Sequence, residues 1–351
     1  MSLAHADGAV TLVEGQTFCL SGRTGDMSTD FPHGLFVLDT RVLSRWDLRV
    51  NGHGLEPLAV DVTEPFAATY VARAHPAADR VDADIVVFRH RSVGWGMRER
   101  VVVTNHGLGH APTVLELRCD VDFADLFEVK ESRVQPRGAH ACEITPSGLR
   151  FSYDGGVVAK AVDVDAGETA VVEPGMITWA ATLAPGHTWE VCVEVVTKLG
   201  GVAIEPRFRC GGSDAEAVPA QRLASWRATL PGVDTDHPAL AGAVRRAGED
   251  LGALRIFDPD HPDVPILAAG APWFMTVFGR DSLLTGWMTL LADPTLALGV
   301  LETLARFQGD DVNTATEEEP GKILHEMRFG SADGLALGGG DIYYGSVDAT
   351  P

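Results

Sequence analysis

Through the first 200 residues the apolar positions come in short runs, not in long helical periods. Thr11–Val13, Gly34–Asp39, Trp46–Val50, Asp84–His90, Arg98–Thr104, Thr113–Val121, Leu149–Tyr153, Ile177–Leu183 and Trp189–Thr197 are rich in Val, Leu, Thr and aromatic residues. Gly, Pro, Asn or Asp separates many of them. That composition suits a pleated, half-buried surface and predicts strands. Glu99, Val101 and Val103 alternate with Arg100, Val102 and Thr104, which predicts a strand with little polar exposure. Asn51-Gly52 between Val50 and Leu55 is a hairpin signal. Many strands at short spacing predict an antiparallel β-sandwich.

The pattern changes after Cys210-Gly211-Gly212. Asp214–Leu230 predicts a helix with Ala217, Leu223 and Trp226 near one face, ended by Pro231-Gly232. Ala239–Leu254 follows His237-Pro238, with Leu240, Val244, Ala247 and Leu251 at three- and four-residue steps. Asp258 to Pro272 is broken by prolines and glycine into a loop. Asp281–Leu291 and Pro294–Phe307 predict two more helices, Pro294 lying in a first turn where proline is tolerated. The expectation is a β domain over 1–210 and an all-α domain over 211–351. The last residues, Tyr343 to Pro351, carry no cap or polar tail, so the helical domain is expected to be cut short.

Charge and composition narrow the function classes. The 351 residues carry a formal charge of −21, which argues against nucleic acid and against an anionic membrane surface, since both require clustered Lys and Arg. No apolar run approaches the ~20 residues of a membrane helix, and Met1 to Thr11 lacks a basic start followed by an apolar run, so a secretory signal peptide is not expected. Cys19, Cys119, Cys142, Cys192 and Cys210 are scattered, without metal-ligand spacing. They are expected to be free buried thiols in a cytoplasmic protein. There is no phosphate-binding loop and no GxSxG elbow. Gly338-Gly339-Gly340-Asp341 lacks the preceding strand of a dinucleotide fingerprint. Neither a metal nor a cofactor is expected.

Three segments have residue types suited to chemistry. In Ala271–Ser282 an aromatic-rich stretch with Trp273 and Phe278 delivers Arg280-Asp281 to a helix start. Arg offers a rigid fork of donors and Asp a fixed acceptor, a pair able to grip neighbouring sugar hydroxyls beneath a flat ring. The structural alternative is that Asp281 caps its helix and Arg280 forms a surface ion pair. Glu317 to Arg328 holds Lys322, His325 and Glu326 beyond a Pro-Gly turn, and its three glutamates also fit a solvated charge run. Tyr343 to Asp348 pairs two aromatics with an acid, which suits carbohydrate or a helix cap. In the β domain Asp26, Asp39 and Arg41 read equally well as structural ion pairs.

Together these segments resemble the bacterial glycogen-debranching or amylo-α-1,6-glucosidase family. The first domain is similar through Phe18–Asp26, Gly34–Ser44 and Asp122–Lys130, the second through FGRDS at 278–282, EEEPGKILHE at 317–326 and YYGSVDATP at 343–351. The resemblance implies a β-sandwich followed by an incomplete (α/α)6 six-hairpin barrel, and a glycoside hydrolase acting on α-glucan with inversion. It implies that Arg280-Asp281 holds the hydroxyls of the sugar and that the general acid and base lie beyond Pro351. Because the loops of such a barrel gather at one end, Trp273, Glu326 and Asp348 are expected to meet that pair around one concave pocket, with Lys322 also among the substrate-binding residues. A non-catalytic carbohydrate-binding or structural module is the alternative from another class. A six-hairpin glycosidase for another α-glucoside or a rhamnoside-type sugar is a third.

Overall fold

The computed structural model describes residues 8–76, 83–135, 140–155, 159–200, 202–258, 261, 264–328 and 341–350. The chain forms two compact units: Met1–Leu12 with Thr17–Ser213, and Val13–Gln16 with Asp214–Pro351.

The first unit is built of antiparallel sheets. The largest runs Ala141–Thr145, Gly148–Tyr153, Lys160–Asp165, Thr188–Leu199, Gly96–Asn105, Ile85–Val93, Ala67–Arg73, Glu56–Glu64, with Val202–Ile204 added beside Thr188–Leu199. A second runs Val171–Glu173, Met176–Leu183, Ala111–Asp120, Arg45–Val50, His53–Gly54. Alternation sets their inner faces. Val101 and Val103 are buried with Val191, Val193 and Val195 on the neighbouring strand, while Leu115, Leu117, Trp46, Leu48 and Ile177 are buried in the second sheet. Trp46 Nε1 donates to Glu99 Oε1 at 3.0 Å, linking the two sheets. The Asn51-Gly52 turn has both residues at positive φ, 51° and 81°, and Val50 faces His53 across it. The strand it starts is only His53–Gly54; the longer Glu56–Glu64 joins the other sheet.

Three stretches singled out in this unit meet. Phe18 pairs with Phe36 in register and their rings stack at 4.4 Å. Thr40 bridges to Asp125, Arg41 is ion-paired with Asp122, and Leu126 N bonds Asp39 O at 2.9 Å. Asp125 then caps the short helix α1 (Leu126–Lys130), with Glu128 reaching back in a capping box.

Two expectations are corrected here. Cys192 and Cys210 are disulfide-bonded, so only Cys19, Cys119 and Cys142 are free. An 18-residue spacing is no motif; the pairing arises because the chain turns back along its own strand and brings the two Cα atoms to 6.0 Å. The second unit is also not all helical. It holds α2 (Val218–Thr229), α3 (Pro238–Ala253), α4 (Gly279–Met288) and α5 (Pro294–Arg306). Arg255–Phe257 pairs with Pro265–Leu267 inside the stretch expected to be loop. Val277–Phe278, Glu326–Met327 and Ile342–Tyr343 form a three-stranded sheet. Strands of two or three residues leave no periodic trace in a sequence.

Helix packing in this unit relies on close approach. Trp226 Nε1 bonds Gly248 O at 2.8 Å, and a Cβ at Gly252 would lie 2.6 Å from the Trp226 ring. The apolar stripe read on α3 at three- and four-residue steps is largely open, with Leu240 and Val244 exposed. On α4 and its exit Leu284, Trp287, Met288 and Leu291 are exposed, as are Leu298 and Leu301 on α5. Among the described residues no helix is long and apolar enough to cross a membrane.

Candidate functional site

The three-stranded sheet gathers the polar segments of the second unit. Phe278 pairs with Glu326 and Glu326 with Tyr343, so the aromatic-rich loop, the Lys322–Arg328 stretch and the Tyr343–Asp348 stretch adjoin. Gly279 N donates to His325 O at 3.1 Å and His325 N to Tyr343 O at 2.7 Å. Gly279 is needed where α4 springs from the sheet: a Cβ there would lie 2.2 Å from Leu324 O.

On this frame Arg280 and Asp348, 68 residues apart, form an ion pair through Nη1 and Oδ2. Arg280 Nη2 also lies 3.7 Å from Asp281 Oδ2. All three side chains keep two-fifths or more of their surface open. Ser346 donates to Asp348, and that bond, with the Arg280 charge, holds the Asp348 carboxyl below the usual aspartate range. Asp281 is the third residue of α4, whose N-cap is Phe278, without a side-chain cap bond; it sits in the first turn but is not the cap.

The other expected residues lie as follows. Glu326 is buried and accepts from Arg328 Nε at 2.5 Å. Lys322 donates to Glu317 O at 2.8 Å and lies 3.8 Å from Glu319. Trp273 is buried at the tip of a turn closed by paired Gly270 and Phe274. The accessible aromatic surface is therefore Phe274, exposed, and Phe278, half-buried, whose rings meet edge-on at 5.9 Å. The series continues from Phe278 to His325 at 5.6 Å and from His325 to Tyr343 at 6.1 Å. Tyr343 donates to Glu317 Oε1 at 3.0 Å, which raises the phenol pKa. Glu317 itself is at φ 56°, a left-handed conformation uncommon outside glycine. Its place in a run of glutamates disguised it; the Pro-Gly turn following it was the available signal. Gly338, Gly339 and Gly340 lie outside the described residues, as does Pro351 with the acid and base expected beyond it.

A second cluster, in the first unit, was read from the sequence only at Asp26, as a structural ion-pair residue. Arg89 and Arg91 are fully buried around Glu99, with Arg89 also 2.5 Å from Asp26. Arg89 donates to Thr24 O at 2.7 Å and Arg91 to Gly25 O at 2.6 Å. Burial opposes ionisation of Glu99, but the two guanidinium charges and the Trp46 bond outweigh it and hold the carboxyl below its ordinary range. Thr24 O, Gly25 O and Asp26 of the loop around Gly25 all accept from the two arginines, so the cluster fixes that loop, while Arg89, Arg91 and Glu99 are closed to solvent. Among the described residues no group of three or more His, Cys, Asp or Glu is disposed to hold a metal ion.

Residues 12–194 match the family described as the N-terminal domain of (some) glycogen debranching enzymes. No curated protein matches the chain. Among solved structures, a candidate kojibiose phosphorylase from the human microbiome is similar at 8% identity and TM-score 0.39, over 71% of this chain and 36% of that one. A candidate aldose 1-epimerase of Escherichia coli K12 is similar at 10% identity and TM-score 0.32, over 54% of this chain and 98% of its own. The Slr1438 protein of Synechocystis sp. PCC 6803 stands at 10% identity and TM-score 0.32, over 56% and 99%. This chain thus spans little more than a third of the first of these structures.

Proposed function

Because this chain belongs to the family of N-terminal domains of (some) glycogen debranching enzymes, we propose that it is part of a glycoside hydrolase acting on α-glucan, of amylo-α-1,6-glucosidase type. One observation carries the reading: Arg280, Asp281 and Asp348 meet at an open surface where α4 leaves the strand that ends at the half-buried Phe278. Planar donors and carboxylate acceptors side by side suit the vicinal hydroxyls of a pyranose, and an aromatic ring suits its apolar face. In this reading a sugar's hydroxyls replace part of the Arg280–Asp348 pairing. Trp273, Lys322 and Glu326 act from behind: the first two brace the loops, and Glu326 with Arg328 stiffens the central strand.

The reading divides the chain into a β-sandwich over 1–210 and the opening of an (α/α)6 barrel over 211–351. The open apolar stripes on α3, α4 and α5 support it, since further helices packed on them would bury those residues. It assigns sugar binding to the residues described here. Inversion requires a carboxylic acid on the leaving oxygen and a carboxylate on a water, about 6.5–9.5 Å apart, and this reading takes neither from them. The compartment proposed is the cytoplasm.

Titration calorimetry of the purified chain with maltooligosaccharides and isomalto-oligosaccharides tests the grip. Asp281→Asn keeps the shape and removes the charge. Loss of a charge-assisted hydrogen bond, about 1.5–3 kcal/mol, weakens binding roughly ten- to 150-fold. Asp348→Asn is expected to do the same. Unchanged affinity with lowered thermal stability would make these residues structural and end the proposal.

A further inference from the structure

The chain leaves the first unit along a strap, residues 205–213, laid back over the sheet it has just completed. Arg207 N bonds Gly94 O at 2.9 Å. Phe208 is buried, stacked on Phe66 at 5.3 Å with the Arg98 guanidinium 6.0 Å from its ring centre. Arg209 reaches Glu194 at 2.8 Å and Glu205 at 2.9 Å, and the Cys210 amide donates to Glu194. The disulfide from Cys210 to Cys192 is the last of these anchors. Gly211, Gly212 and Ser213 beyond it are exposed, and the second unit begins at Asp214.

The position of the bond on its strand is informative. In Thr188–Leu199 the residues Val191, Val193 and Val195 are buried, whereas Cys192 and Glu194 alternate with them and are half-buried. The bond thus crosses the outer face of the sheet and holds no core residue. Its neighbouring ion pairs are weak substitutes, because the Arg209 side chain is more than half exposed and exposed pairs contribute about 0–1 kcal/mol.

We propose that Cys192–Cys210 is a redox-sensitive latch on the strap. Oxidised, it holds Arg209 and Cys210 against the strand and so fixes the point from which 211–213 depart; reduced, it frees 209–213 while Phe208 keeps the upstream part seated and the core is unchanged. The reductant is a dithiol. Its thiolate attacks one sulfur, the Cys192–Cys210 bond breaks and a mixed disulfide forms. The second thiolate of the reductant resolves that intermediate. Two electrons and two protons end on Cys192 and Cys210, and the reductant leaves as its own disulfide. A bond of this kind fits a reducing compartment, where disulfides are usually transient or sensing, although the latch depends only on the geometry.

Hydrogen exchange of the full chain before and after native dithiothreitol treatment tests it, with iodoacetamide labelling to count thiols. Reduction should add two alkyl groups, on Cys192 and Cys210. It should speed exchange at 209–213 by about tenfold or more, with 189–197 unchanged and protection regained on reoxidation. Cys210→Ser should mimic the reduced state. Three results would each overturn the proposal: free thiols at both positions in the oxidised chain, unchanged exchange at 209–213, or loss of protection spreading through 189–197 and 97–103.

Discussion

Glu99 faces two fully buried guanidinium groups, so neutralising it leaves two cations in the interior around one amide. Glu99→Gln is expected to cost about 3–5 kcal/mol, as breaking a buried ion network does, and urea unfolding measures it. The pH dependence follows from the lowered pKa of Glu99. Its contribution is complete above the unfolded-state value of about 4.3 and is lost as pH falls through the depressed folded value; Glu99→Gln should flatten that acid limb. Tyr70 gives the opposite limb. Burial pushes its phenol up to about 12, so its contribution is full below the unfolded pKa of about 10 and falls by roughly 1.4 kcal/mol per pH unit up to the folded value. Tyr70→Phe should remove that slope, at the cost of the 2.9 Å bond to Ser21. Of this network only Asp26 was legible in the sequence, as one side of a structural ion pair. Arg89, Arg91 and Glu99 look like ordinary alternating strand residues, and only the pairing of two strands with the Gly25 loop encloses them. Arg280-Asp281 was legible as an adjacent pair of complementary groups, and the approach of Asp348 was expected only from the way loops gather at one end of the barrel the chain resembles; here it comes about through two intervening strand pairings.

The start of α4 leaves no space for a side chain on Gly279. Gly279→Ala is expected to displace the first turn of α4 from the central strand and so separate Arg280 from Asp348. Oligosaccharide affinity should then fall at least as far as in Asp281→Asn, with the folded far-UV spectrum retained. The helices themselves were legible because a period of 3.6 extends over 10 to 16 residues; the sheet they spring from was not, its strands being two residues long. On α3 the period was read but its direction was not. Gly248 and Gly252 let Leu230 and Trp226 approach so closely that the glycine side of the helix became the buried one.

At the scale of the whole chain, two opposing terms govern association. Leu284, Trp287, Met288 and Leu291 recur at steps of three and four residues on one exposed stripe, and contiguous apolar surface favours self-association. A charge of −21 opposes it. Raising ionic strength from about 0.01 to 0.15 M shortens the screening length from about 30 to 8 Å, so light scattering of the 351-residue chain should show more oligomer at the higher salt. Trp287→Glu with Met288→Gln should abolish the increase; an unchanged mass distribution would show that the stripe does not drive association. The period of the sequence changes near residue 210, and the compact units divide between Ser213 and Asp214. The disulfide beside that change was invisible, since it depends on where the strap turns back.

Strand order also decides when this chain can fold during its synthesis. Thr188–Leu199 lies between Gly96–Asn105 and Lys160–Asp165, yet it is made after both. Until it leaves the ribosome, each of those strands presents an unpaired backbone edge and half of an unfilled core, the situation in which strands pair with the wrong chain. Closure then joins residues about 90 positions apart, Gly96 with Val196 at one end and Thr104 with Thr188 at the other, and such long-range pairing is slow. A nascent chain stalled near residue 187 would therefore be a two-edged sheet awaiting its middle strand. The interval before that strand emerges is when this protein most needs a chaperone.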